Sequence, residues 1–411
     1  MQEMDKTDVG RMAVTGSGGA EMTVFTVLFA TCFCHFLNDT MQSMLPAVYP
    51  LMKSSLGLTF AEIGLVTLTL QVTSSLVQPL VGIYADSHHH SWQLAVGMLF
   101  TITGLFMLSV AESLPVVLVS VAFMGCGSSV FHPQASQVSQ LASGGRRGLA
   151  QSIFQVGGNG GYAFGPLLAA AVIVPNGMRA VGWLGVLALL AAVILLYIGR
   201  WHVRALREQR RRNAPTWATA RHYGRQRVAF FVVVLLVLMF SKNFYSACMV
   251  NYFTFFLIGK FHVSISASQY CLFAFLAAQA IGTLGGGWLG DRIGRKWVIW
   301  FSILGAAPFT LILPHLDSLY ATVAVSVVTG IIMASAFSSI LVYATDLMPR
   351  HTGVVAGLFY GLSFGAAGLG SALFGGMADT QGIQRVFEIS SLLPFVGVCA
   401  MFLPKMTRVR G

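Results

Sequence analysis

Gly287-Trp288-Leu289-Gly290-Asp291 stands 205 residues after Gly82-Ile83-Tyr84-Ala85-Asp86, and the shared glycine and aspartate keep one register with matches elsewhere. At the same offset Asn38 recurs as Asn243, Gly148 as Gly353, Phe154 as Phe359 and Gly165 as Gly370. The chain has 44 glycines, so single identities carry little weight. The weight lies in an unbroken register that links three separate segments of each half. In an apolar chain such a repeat points to tandem membrane domains with a substrate site between them.

Composition agrees. Of 411 residues 55% are hydrophobic and only 9% charged, too few charges to cover a soluble surface of this size. Long apolar stretches recur throughout, many sufficient to cross a hydrocarbon core of about 30 Å. They predict helices near 24–50, 60–85, 92–111, 114–140, 148–174 and 180–199, then 229–257, 267–289, 297–314, 319–345, 353–377 and 386–404. The expected fold class is an all-α membrane protein of twelve transmembrane helices in two pseudo-symmetric six-helix bundles, 22–199 and 228–405. Residues 1–21 read as a disordered arm, 200–227 as a basic linker and 406–411 as a tail. The first apolar stretch is too long for a cleavable signal.

Charge sets the expected orientation. With both termini in the cytoplasm, twenty of the 25 Lys and Arg residues fall in inner segments. Four fall outside (Lys53, Arg179, Lys260 and Arg385), and Lys242 lies within a span. That asymmetry follows the positive-inside rule. The net charge of +11 therefore reports topology, and the Arg-rich linker reads as a neighbour of anionic lipid rather than a nucleic-acid site.

Six cysteines, all within apolar spans, lack zinc-ligand spacing and read as packing residues. Three adjacent imidazoles, His88, His89 and His90, cannot converge from a short loop, so no metal site is expected. No cofactor is expected either. The glycine clusters lie inside apolar helices, without a nucleotide-binding loop, and no clustered nucleophile and base suggests an enzyme.

The run Gly287 to Asp291, continued by Arg292, Ile293, Gly294, Arg295 and Lys296, resembles the loop signature of the major facilitator superfamily. The first-half copy lacks the basic residues after Asp86. Gly161-Tyr162-Ala163-Phe164-Gly165-Pro166 resembles the glycine–proline pattern of that superfamily's drug/proton antiporters. His35, Asn38, Asp39 and Gln42 in the first span, His132-Pro133 in the fourth and Arg146 to Asn159 at the fifth resemble the fosmidomycin resistance proteins. Those are bacterial inner-membrane exporters that expel a phosphonate antibiotic in exchange for protons. The resemblance covers essentially the whole chain. It departs from the family pattern at Gln134, where a Glu commonly follows His-Pro, and an amide cannot carry a proton as a carboxylate does.

Ionisable groups inside a span cost about 2.5–3.5 kcal/mol on insertion scales and usually face a cavity or a partner. His35 and Asp39 share one face of the first helix, with Gln42 a turn further. His132 lies deep in the fourth span and Lys242 midway along the seventh, beside Asn243. Asp39, His35 and His132 are the candidate proton-coupling groups. Lys242, Asn243, Asn38, Gln42, Gln155, Asn159, His132, Tyr245 and Tyr343 are the candidate substrate contacts. Asp86, Asp291, Arg292, Arg295 and Asp346 are the candidate gate. The bland alternatives are a buried Asp39–Lys242 ion pair, or histidines that merely bond a neighbouring carbonyl.

The expected function is proton-coupled export of a small anionic drug by a monomer in the bacterial inner membrane. The same fold could instead import a sugar or organic acid, which would sensitise cells to a toxic cargo rather than protect them. A receptor or scaffold would show no pH-dependent flux.

Overall fold

The structure, a computed structural model, describes residues 23–87, 90–144, 147–211, 224–348 and 352–404. Every regular element among the described residues is helical. α1 covers Phe25–Ala47, α2 Phe60–Ser87, α3 Gln93–Ser109, α4 Leu114–Leu141, α5 Arg147–Leu168 and α6 Gly185–Arg211. The second half supplies α7 at Arg225–Phe261, α8 at Ile265–Ile293, α9 at Arg295–Leu304, α10 at Leu319–Ala334, α11 at Thr352–Gln381 and α12 at Ile383–Ser390. The last turns of three segments change helix type or restart, so that Arg295–His315, Leu319–Ala344 and Ile383–Phe402 each run on as one span.

Ten segments among the described residues are long and apolar enough to cross a membrane. Of the twelve spans expected from the sequence, those at α1 and α3 fall short of these measures. α3 has 17 residues. α1 has 23, enough for about 35 Å at 1.5 Å per residue, but His35, Asn38, Asp39 and Gln42 dilute its hydropathy. The fifth span also departs from plain α-helix. Pro166 has no N–H for the carbonyl one turn back, and the ladder re-forms as a wider π turn at Ala169–Ile173.

Local chemistry sets the ends. Thr59 and Glu62 make a reciprocal capping box at the start of α2: the Thr59 N–H donates to Glu62 Oε2 at 2.8 Å and the Glu62 N–H to Thr59 Oγ1 at 3.1 Å. Ser264 caps α8 by accepting from the Ala267 N–H. Gly57, at φ +66°, closes the short helix Tyr49–Leu56 that precedes α2.

Within the first half α1 packs on α5, and α4 on α2 and α3; within the second, α7 packs on α11 and α8 on α10. Small residues permit the closest of these approaches. A Cβ on Gly161 of α5 would stand 2.1 Å from the Phe36 carbonyl oxygen of α1. The repeat seen in the sequence becomes a repeat of contacts. Gly165 of α5 faces Ser43 of α1, and Gly370 of α11 faces Phe244 of α7. Phe154 and Phe359 are both buried.

The halves meet where α2 packs on α11 and α5 on α8. Hydrogen bonds between halves cluster at one end of the molecule. Asp379 of α11 accepts from the Phe60 and Ala61 N–H groups at 2.8 and 2.7 Å, and Gln269 of α8 donates to the Ala47 carbonyl at 2.7 Å. Slightly deeper, Thr67 donates to Asn251 at 3.0 Å while Tyr49 bonds the same Thr67 hydroxyl at 2.6 Å. A Cβ on Gly375 would stand 2.3 Å from the Phe60 carbonyl oxygen, so α2 and α11 touch backbone to backbone here. This end is closed.

Candidate functional site

Helical spacing of four puts His35 and Asp39 on one face of α1, and the bend-prone His132-Pro133 step of α4 meets them there. His35 Nε2 lies 3.2 Å from Asp39 Oδ2, and His132 Nε2 lies 3.4 Å from Asp39 Oδ1. Asn38 donates its amide to the same carboxylate oxygen, Oδ1, at 2.9 Å. The imidazole rings cross edge-to-face, 5.2 Å between centroids. α5 closes the third side: Phe154 stacks on His35 at 4.0 Å, and Gly158 leaves room where a Cβ would stand 2.4 Å from the His35 ring.

Each imidazole is fixed through its other nitrogen. His35 Nδ1 donates to the Phe154 carbonyl at 2.8 Å, and His132 Nδ1 lies 3.1 Å from both the carbonyl and the hydroxyl of Ser128. A neutral ring that spends its proton on Nδ1 presents only a lone pair at Nε2. At His35 that lone pair faces the Asp39 carboxylate, an approach that a proton or another cation between them makes favourable. His132 has a second option: its Nδ1 can accept from the Ser128 hydroxyl and its Nε2–H then donates to Asp39 Oδ1. The trio is partly exposed, with side-chain exposure of 5% at His35, 16% at Asp39 and 19% at His132.

Both bland alternatives can now be judged. His35 does bond a backbone carbonyl, yet its remaining nitrogen still meets Asp39. No Asp39–Lys242 ion pair forms among the described residues. Lys242 of α7 is buried at 9% exposure, with Nζ 5.3 Å above the Phe337 ring and no carboxylate in ion-pair reach among the described residues. Cation–π contact partly offsets its desolvation and occupies none of the ammonium's N–H donors.

Around these charges several buried polar atoms find no partner among the described residues: Gln42 Nε2, Asn159 Nδ2, Asn243 Nδ2, Asn38 Oδ1 and the Tyr245 hydroxyl. Asn159 follows the glycine that abuts the trio, Gln42 lies one turn beyond Asp39, and Asn243 adjoins Lys242. Unsatisfied groups at this density in a native interior call for an occupant, water or a passenger. Gln155 is half-buried. Gln151, the first residue of the expected polar stripe on α5, accepts from Ser136 at 3.4 Å. Tyr343 is not among these unsatisfied groups: it packs in a second-half core cluster and donates its hydroxyl to the Pro404 carbonyl at 2.6 Å.

Of the residues expected to form a gate, Arg295 pairs with Asp346, and Arg292 stacks over Trp288 at 4.0 Å. The side chains of Asp86 and Asp291 lie outside the described residues, as do His88 and His89 and residues 212–223 of the basic linker. Sequence reasoning missed Asp379, Gln269 and Asn251, whose partners lie far along the chain, and Phe364, whose ring reaches His132 from α11 at 6.5 Å. It also missed that three metal-ligating residues, two histidines and an aspartate, converge, since the third comes from another helix.

The profile of the Major Facilitator Superfamily matches residues 31–258 and 243–410. The chain is 50% identical over 382 residues to the fosmidomycin resistance protein of Escherichia coli K12, covering 93% of each. It is 36% identical over 389 residues to the uncharacterised MFS-type transporter YfnC of Bacillus subtilis 168, covering 94% of this chain and 95% of that one. In fold it resembles a bacterial homologue of the human lysosomal transporter Spinster, with a TM-score of 0.72 at 16% identity over 93% of this chain and 97% of that one. With apolar helices throughout, ionisable groups buried among them and these relatives, the chain is a multi-pass membrane transporter, not an enzyme, and belongs to the major facilitator superfamily.

Proposed function

We propose that this chain exports a small anionic drug of the phosphonate class, such as fosmidomycin, in exchange for protons. The observation that carries the reading is Lys242, a buried ammonium with no anion beside it among the described residues. A buried cation is costly unless paired, and a passing phosphonate or carboxylate supplies the pairing as a charge-assisted bond. The unpartnered amides of Gln42, Asn159 and Asn243 would complete the cage. The relative named for fosmidomycin resistance supports the cargo class.

Protons would enter at the His35–Asp39–His132 trio. With Gln134 in place of a carboxylate, the trio offers titratable groups that the family pattern puts one helical step away. Export then alternates between two states, one favoured by the proton and the other by the anion, each ligand acting only through its differential affinity. A membrane potential adds about 2.3 kcal/mol per charge per 100 mV. In this reading α1 and α3 also cross the bilayer, giving twelve spans in bundles 22–199 and 228–405. The linker 200–227 and both termini would lie in the cytoplasm of a bacterial inner membrane, and Arg295–Asp346 would belong to the inner gate of a monomer.

The test is phosphonate flux into inside-out vesicles under an imposed pH gradient, with Lys242→Ala alongside. Loss of one charge-assisted bond of about 2 kcal/mol predicts roughly a 30-fold rise in the half-saturating concentration. Wild-type saturation in that variant removes Lys242 from the site, and wild-type protein without pH-dependent flux removes the function.

A further inference from the structure

We propose that His35 Nε2, His132 Nε2 and the Asp39 carboxylate form a binding site for a divalent transition ion, with Zn2+ as the probe. The three donate ligand atoms that all lie within 4.8 Å of one another. Bonds of about 2.0–2.1 Å to Zn2+ at tetrahedral angles give ligand–ligand edges of about 3.3–3.4 Å. His35 Nε2 already stands at that length from Asp39 Oδ2, 3.2 Å, and His132 Nε2 from the other oxygen, Oδ1, at 3.4 Å. The remaining edges close by a turn of the His132 ring, the most exposed of the three and the one beside Pro133, toward the oxygen that His35 meets.

The surroundings suit a metal as well as the distances do. Zinc-bound histidines donate their second ring nitrogen to a carbonyl or carboxylate, which fixes ring orientation and strengthens the ligating nitrogen. Both imidazoles here have that support, from the Phe154 carbonyl and from Ser128. No Lys or Arg pairs with Asp39 among the described residues, so its charge is available to the ion. Two imidazoles and one carboxylate suit Zn2+, Cu2+ or Ni2+, and leave a position for water. Hard ions such as Mg2+, which prefer oxygen ligands, gain little here. The site stands on geometry alone and holds whichever cargo the transporter carries. One consequence does rest on the proposed function: a bound ion takes the lone pairs assigned there to the proton, so Zn2+ arrests transport.

The experiment uses full-length protein in detergent, with His88, His89 and His90 replaced by Ser to remove the loop imidazoles. Zn2+ affinity is read by competition with a chromophoric chelator, and Co2+ by its visible absorption. One ion per chain is expected. Asp39→Asn and His132→Gln each weaken binding by at least the ~10–100-fold that follows loss of a mere outer-shell partner, and abolish the intense tetrahedral Co2+ band. Lys242→Ala keeps both, even where its transport fails, which separates this site from the cargo reading. Unchanged affinity in either ligand variant overturns the assignment, as does equal loss in Lys242→Ala. Thermal melting of each variant without metal shows that the fold survives, and Asp39→Asn, nearly isosteric, decides the matter if His132→Gln does not fold.

Discussion

Removing the Asp379 carboxylate should swing the transporter open at the end that is closed here. Asp379 lies on α11, yet it accepts two backbone N–H bonds from Phe60 and Ala61 at the first turn of α2. It therefore caps a helix of the opposite half, where the partial positive charge of the α2 terminus adds to the attraction. Hydrogen bonds to a charged group are worth about 1.5–3 kcal/mol net when sheltered. This carboxylate is exposed, and water replaces much of what is lost, so about 1.4 kcal/mol for the pair is a fair figure. Because the bonds bridge the halves, that energy exists only in the state with this end closed. Asp379→Ala then shifts the conformational equilibrium about tenfold toward opening.

The direct assay places spin labels on Ser54→Cys, in the short helix before α2, and on Thr380→Cys, beside the latch, in a background without native cysteines. Asp379→Ala should enlarge the long-distance population about tenfold. Asp379→Asn, which keeps a neutral acceptor, should fall between. Gly375→Ala should act in the same direction by a separate route, since its Cβ would collide with the Phe60 carbonyl only while α2 and α11 touch. An unaltered distance distribution in Asp379→Ala refutes the argument that these bonds hold the end shut.

Three further outcomes follow from the same geometry. Gly161→Val should destabilise the α1–α5 contact by about 1–3 kcal/mol or more, because backbone of Phe36 cannot yield as a side chain could; a lowered melting temperature in detergent checks it. Asp39→Asn should abolish uptake driven by a pH gradient in inside-out vesicles while sparing substrate exchange at equal pH; retained gradient-driven flux would exclude Asp39 from coupling. Asp346→Asn should weaken the pair with Arg295 and raise the reactivity of engineered cysteines at that end, with little change in melting temperature, as befits a half-exposed ion pair worth about 0–1 kcal/mol.

The fold was legible because membrane physics writes itself along the chain. Apolar length and the offset of 205 residues are each local or additive signals. The site was legible only where helical spacing does the work. A spacing of four from His35 to Asp39 suffices to share a face, and the sequence needed no coordinates to say so. That His132 joins them depends on how α4 crosses α1, which no spacing encodes. Asp379 illustrates the limit more sharply, for its bonds go to backbone N–H groups 319 and 318 residues away, and backbone leaves no trace in composition. Tyr343 shows the converse. A tyrosine within a span suggests a cavity, but its hydroxyl bonds the Pro404 carbonyl.

The site and the latch are not separate features, because α11 touches both. Its Phe364 lies against the His132 ring, and its Asp379, fifteen residues on, caps α2. At 1.5 Å per residue these points are about 22 Å apart along one continuous helix. A cation entering the trio alters the charge beside Phe364 and the repulsion among Asp39, His35 and His132. A tilt of α11 that this favours would bear on the α2 terminus, where two hydrogen bonds either hold or break. Packed helices have discrete arrangements rather than continuous ones, so a sub-ångström bias at the trio can select between them. The long connection also explains why the latch need not be strong. About 1.4 kcal/mol, the figure reached above, is a bias that one proton or one anion, binding two states unequally, can overcome.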